Sequence, residues 1–153
     1  MLVPQITWNH HIKIKSNKME LQVRELRESD WEDLTSWWKW WRWPEVSKEL
    51  LPLNGLGGLM VYKDNTPIAA GFLYLSNSKV AWLDWIVSNP EYRDTDRKEA
   101  LEFLINSLED VAKMQDYSII ISIARNKSLI QTHKKLGYTV DESPSYEISK
   151  KIK

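Results

Sequence analysis

Between Tyr92 and Lys98 the sequence YRDTDRK sets three cations, Arg93, Arg97 and Lys98, beside two anions, Asp94 and Asp96, around Thr95. A net charge of +1 just ahead of a helical pattern suits an anionic ligand. A unit charge about 4 Å from a phosphate oxygen is worth roughly 4 kcal/mol at an effective dielectric near 20, and a helix start adds free N–H donors. A second concentration of chemistry is SWWKWWRWPE at 36–45, with five tryptophans in seven positions interleaved with Lys39 and Arg42. One amphipathic helix has one inward face. Trp31, Trp38 and Trp41 satisfy it, which leaves Trp37, Trp40 and Trp43 over. Surplus rings stack on flat or apolar ligands, nucleobases included, and Arg42 beside them can hold phosphate or stack in turn; a dimer or partner interface is the other use of such a face. The third candidate is Asp84, the one carboxylate inside the apolar run VAWLDWIV, with Trp85 beside it. Partial burial would raise its pKa and make it a base; on a solvated strand face it would be an ordinary carboxylate. His10 and His11 are adjacent, so on a strand they face opposite ways, and no metal site is expected.

The composition limits what these groups can serve. Twenty-one Lys plus Arg balance twenty-one Asp plus Glu in 153 residues, so no global field draws in nucleic acid or an anionic membrane. There is no cysteine, which excludes disulfides, thiol nucleophiles and thiolate zinc sites and fits a reducing compartment. No apolar run reaches the length of a membrane span, and the first fifteen residues are too polar for a signal peptide. A cytoplasmic protein without membrane contact is expected.

The elements that must position the candidates follow from periodicity. Ile6, Trp8, His10, Ile12 and Ile14 alternate with polar residues as a half-buried strand does, so residues 1–18 read as an extra strand or extension ahead of a single domain over 19–153. LQVREL alternates again, with Leu21, Val23 and Leu26 inward. Ser29 with Glu32 is a capping box for a helix that stops near Pro44. LMVYKD, TPIAAGFLYLS and VAWLDWIV form an antiparallel meander. A helix runs from Arg97 to Met114, YSIIISIA is a strand buried on both faces, and a helix from Lys127 to Leu136 ends at a left-handed Gly137. YTVDE and SYEISKKI finish as two more strands. The fold class is α/β (α+β), with a mixed, mostly antiparallel sheet of about six or seven strands flanked by about four helices.

Three stretches carry a family resemblance: WIVSNPEYR followed by a long helix, NKSLIQTHKKLGY with its Asn and its Leu-Gly-aromatic ending, and the upstream meander after a helix-rich start. Together they resemble the GCN5-related N-acetyltransferase (GNAT) family over nearly the whole chain after Leu21. The resemblance implies acetyl-CoA, or another acyl-CoA, as cofactor and acyl transfer to an amine, from a small molecule or a peptide.

It also implies roles for particular residues. The loop from Arg93 through Asp94, Thr95, Asp96 and Arg97 to Lys98 would hold the pyrophosphate. Asp96 and Lys98 stand where the family has glycines, and Asp96 with Glu99 reads as a capping pair that takes the donors a phosphate needs. A backbone N–H near Ile86 or Val87 would polarise the thioester carbonyl. His133 would be the acid for the departing thiolate; the plain alternative is a helical residue covering the core. Asn126 would bond the pantetheine arm or cap its helix. Trp37, Trp40, Trp43, Arg42 and Trp85 would form the acceptor wall, with Asp84 as base or with water in that role. The Trp-rich chain also resembles phage-encoded relatives that modify adenine in DNA. The altered loop keeps a second class open, a catalytically silent fold used as a binding module.

Overall fold

The computed structural model describes residues 20–153; the alternating segment at 6–15, with His10 and His11, lies outside them. Five strands form one sheet: β1 (Gln22–Glu25), β2 (Gly58–Lys63), β3 (Thr66–Leu75), β4 (Val80–Ser88) and β5 (Ile119–Ser122). They lie side by side in chain order. The first four pair antiparallel: short polar turns join β2 to β3 and β3 to β4, and the segment that holds α1 joins β1 to β2. β5 pairs parallel to β4, because α2 (Arg97–Met114) carries the chain back along the sheet.

Each face is covered in accord with the period-2 side-chain alternation. Val23, Leu59, Val61, Leu73 and Leu83 pack against Leu104, Ile105 and Leu108 of α2, with Leu129 of α3 (Lys127–Lys135) at the margin. On the other face Leu26, Met60, Phe72 and Val87 meet Leu34, Trp37 and Trp38 of α1 (Trp31–Trp40). Trp38 is almost fully buried, edge-on to Trp31 and Trp85 at centroid distances of 5.6 and 6.0 Å. Such contacts add about 0.5–1.5 kcal/mol each beyond area burial.

The mixed, mostly antiparallel sheet flanked by helices is as expected, with five strands and three α-helices among the described residues. Several details need correction. YTVDE and SYEISKKI form no ladder; Tyr146, Ile148 and Ile152 are almost fully exposed. Alternation chooses a face but does not supply a partner, and the tail instead meets the body through an ion pair from Glu147 to Arg125. β5 is therefore an edge strand among the described residues, with Ile119 exposed, and is not buried on both faces. At α1 the entry is organised by Asp30 and not by Ser29: its carboxylate accepts two bonds from Arg24 at 2.7 and 2.8 Å and the Arg27 N–H at 2.8 Å. Gly137 is left-handed, as its position after α3 predicts.

Candidate functional site

β4 and β5 stay paired only from Val80 opposite Ile119 to Leu83 opposite Ser122. Beyond that point β4 bulges. Phe72 faces Asp84 and Ala70 faces Val87, so Trp85 and Ile86 both stand opposite Gly71. Trp85 takes a φ of 56°, unusual for so bulky a residue. A Cβ at Gly71 would lie 3.2 Å from both Ile86 Cγ1 and Leu108 Cδ1, so glycine admits the close approach that the bulge needs.

The divergence opens a cleft of about 730 Å³. Its floor is Ile86, Val87 and Ser88 of β4. Thr95, Arg97, Lys98 and Leu101 come from the start of α2, and Asn126, Ser128, Leu129 and Thr132 from the start of α3. Trp41, Trp43 and Arg125 complete the lining. Two helix N-termini therefore face one space, where their partial positive charges favour an anion.

The cations are held in place. The Arg97 guanidinium donates to Ser88 Oγ at 2.7 Å and lies over the Trp41 ring at 5.6 Å. Trp41 in turn donates its indole N–H to the Ser88 carbonyl at 2.9 Å. Burial, helped by nearby Arg93, lowers the Arg97 pKa from an ordinary guanidinium's, as expected of a cation that has no carboxylate partner among the described residues. Arg93 sits outside the lining, over the exposed ring of Trp40 at 5.9 Å.

Asp96 does not compete for the cleft. Its side chain caps nothing; it turns inward, 2% exposed, to accept the Tyr92 hydroxyl at 2.6 Å and Lys63 Nζ at 3.1 Å. The Tyr92 bond, with help from Lys63, lowers the Asp96 pKa, while burial and the same carboxylate raise that of Tyr92. The expected capping pair is thus corrected: a carboxylate that sequence places at a helix start can also reach a lysine 33 residues away. Asp94, exposed, accepts the Arg97 N–H at its carbonyl, and its carboxylate adds to the rise in the Tyr92 pKa.

The remaining candidates separate. Asn126 Oδ1 accepts the Leu129 N–H at 2.8 Å, so it caps α3, and it also lines the cleft. His133 is 3% exposed and absent from the lining. Its Nδ1 donates to the Leu129 carbonyl at 2.8 Å and its Nε2 lies 2.6 Å from Ser122 Oγ, from which it accepts when the ring is neutral. Burial lowers its pKa. Asp84 is not a free base either: it accepts the Trp85 N–H at 2.7 Å and Arg125 Nη1 at 3.0 Å.

The tryptophans follow expectation only in part. Trp37 is 3% exposed in the core, because a ten-residue helix buries adjacent positions 37 and 38 together when its apolar stripe is broad. Trp41 packs partly buried against the core, as expected, and from just past the last turn of α1 it also lines the cleft. Trp43 lines it too, while Trp40 is 52% exposed and Arg42 is exposed, both outside it. Trp85 borders the cleft through its contacts with Trp43 and Arg125. Arg125, Trp41 and Ser88 were missed because nothing local in the sequence marks them; each acts across the fold.

No protein-family model matches the sequence, and no curated protein does. Solved structures do. Over 82% of this chain and 29% of the other, it superimposes on N-acetylglutamate synthase from Neisseria gonorrhoeae, complexed with coenzyme A and L-arginine, at a TM-score of 0.66 and 14% identity. The chain thus spans less than a third of that protein. A GNAT-family acetyltransferase from Streptococcus pneumoniae matches over 86% of this chain and 99% of its own, at a TM-score of 0.61 and 11% identity. A predicted acetyltransferase with acetyl-CoA from Clostridium acetobutylicum matches over 83% and 96%, at a TM-score of 0.58 and 18% identity. The chain has the fold of the GNAT acetyltransferases.

Proposed function

We propose that this chain, a GNAT fold with a cationic cleft at the parting of β4 and β5, is an acyl-CoA-dependent N-acyltransferase, with acetyl-CoA as donor. The observation that carries the reading is the lining itself. It contains Arg97, Lys98 and Arg125 and two helix N-termini and, among the described residues, no carboxylate and no imidazole. A polyanionic cofactor suits such a surface, and Asp96, the residue that could have opposed it, faces away.

The cofactor supplies an acetyl thioester; the chain supplies placement and charge. Arg97 and Lys98, with the N–H groups that follow Arg97 at the start of α2, hold the pyrophosphate. Asn126 has its oxygen engaged in the cap, which leaves its amide N–H groups for the pantetheine arm. Among the described residues the β4 backbone at Ile86 and Val87 has no strand beside it on the β5 side, and it offers an N–H to the acyl oxygen. The same cations favour the neutral form of an amine entering the cleft and the anionic form of the departing thiol. The acceptor gives its proton to solvent, and Asp84 positions Arg125.

Release of free thiol from acetyl-CoA in the presence of a panel of primary amines tests the reading. Amine-dependent release supports it; release independent of every amine, or none, contradicts it.

A further inference from the structure

Arg125 is held unlike the other cations of the cleft. Nη1 donates to Asp84 at 3.0 Å and Nη2 to Glu147 at 3.3 Å. Its guanidinium lies 5.1 Å from the Trp85 ring and 5.8 Å from the Trp43 ring. The two carboxylates are not equivalent. Asp84 is 15% exposed and locked by the Trp85 N–H. The ring above it is fixed in turn, since Trp85 Nε1 donates to the Tyr74 hydroxyl at 3.1 Å and that hydroxyl donates to the Leu50 carbonyl at 3.0 Å. Glu147 is 73% exposed, makes the longer bond, and belongs to the tail that joins no strand.

We propose that Arg125 anchors the carboxylate of an amino-acid-like acceptor, and that Glu147 occupies the place where that carboxylate binds. The inference rests on the acyltransferase reading and names its substrate class. A guanidinium fork fits a carboxylate in two-point geometry, and the neighbouring rings of Trp43 and Trp85, whose centroids are 6.2 Å apart, keep the fork oriented and partly dry. Charge selects within the class. With Asp84 retained, exchanging Glu147 for another monoanion leaves the local count unchanged, whereas a phosphate dianion adds one unmatched charge. A diamine would bring its second cation to a lining that already holds Arg97, Lys98 and Arg125.

Matched acceptors that differ only by the carboxylate provide the test: L-phenylalanine with phenethylamine, L-ornithine with putrescine, and phosphoethanolamine as the dianionic arm, each assayed by thiol release from acetyl-CoA. The carboxylate member of each pair has the lower KM. Arg125→Gln raises that KM about tenfold or more while changing its partner's by less than about twofold, as loss of a charge-assisted bond predicts. Glu147→Gln moves it the opposite way, downward, because the internal occupant is gone. Arg125→Lys, which keeps the charge but not the fork, falls between. Equal use of both members by the wild type overturns the assignment, as does a rise in both KM values in Arg125→Gln, a preference for phosphoethanolamine, or a rise in KM in Glu147→Gln. If acetyl-CoA binds and only the decarboxylated amines are acetylated, this inference alone fails. If acetyl-CoA does not bind, the functional reading fails, and this with it.

Discussion

The Tyr92 hydroxyl donates to Asp96 Oδ1 at 2.6 Å, and that bond turns a carboxylate at the start of α2 away from the cleft. With Lys63 on its other oxygen, Asp96 ties the loop before α2 to the end of β2. The start of α2 is therefore free to serve an anion although no glycine is present in the loop.

Asp96→Gly accordingly leaves acetyl-CoA affinity unchanged or weaker. Asp96→Asn keeps the shape but loses the charge, at a cost of about 1–3 kcal/mol in stability. Denaturant titration measures the cost, and calorimetry the affinity. Tighter acetyl-CoA binding by either variant would contradict the account. Because the folded pKa of Asp96 is depressed, its contribution is complete above the ordinary carboxylate pKa of about 4 and is lost as pH falls below that value.

His133 sets a different window. Burial depresses its folded pKa, so the unfolded chain takes up the proton first. Stability is full above about pH 6.5 and declines as pH falls from there toward the folded pKa. A plot of Tm against pH between about 7 and 5 is expected to slope in the wild type and to flatten in His133→Gln, which removes the titrating ring. Turnover per folded molecule is expected to survive this change, since both ring nitrogens are engaged with Ser122 and Leu129.

Arg97→Gln removes the cation bonded to Ser88 at 2.7 Å. Acetyl-CoA binding is expected to weaken about tenfold or more, as for loss of one charge-assisted contact. The salt dependence of binding should become shallower in the same variant. Unaltered affinity would remove Arg97 from the cofactor site.

The tryptophans divide by position. Trp37→Ala empties a core site and should cost about 3–5 kcal/mol. Trp40→Ala, on an exposed ring outside the cleft, should cost less than about 1 kcal/mol and leave turnover intact. Trp43→Ala should fold but raise the acceptor KM, because its ring lines the cleft and lies over Arg125.

What the sequence made legible is what depends on local pattern. The meander, the bounds of α2 and the left-handed Gly137 follow from periodicity and turn chemistry, and they appear as expected. The bulge at Trp85 is carried by a residue that signals no bulge. The orientation of Asp96 depends on Lys63, far away in sequence, and a capping pattern reads the same whichever way the side chain turns. Trp41 reaches the cleft because α1 ends at Trp40, short of the stop expected near Pro44. Arg125 meets Asp84 and Glu147, 41 and 22 residues away in sequence, only in the folded chain.

The most direct measurement is a calorimetric titration of the full chain with acetyl-CoA and with CoA, at low and at moderate salt. The account predicts saturable one-to-one binding of both in the micromolar range, on the order of 8 kcal/mol, weakening as salt rises. No heat of binding up to about millimolar ligand, near 4 kcal/mol, would contradict the assignment of this cleft to an acyl-CoA.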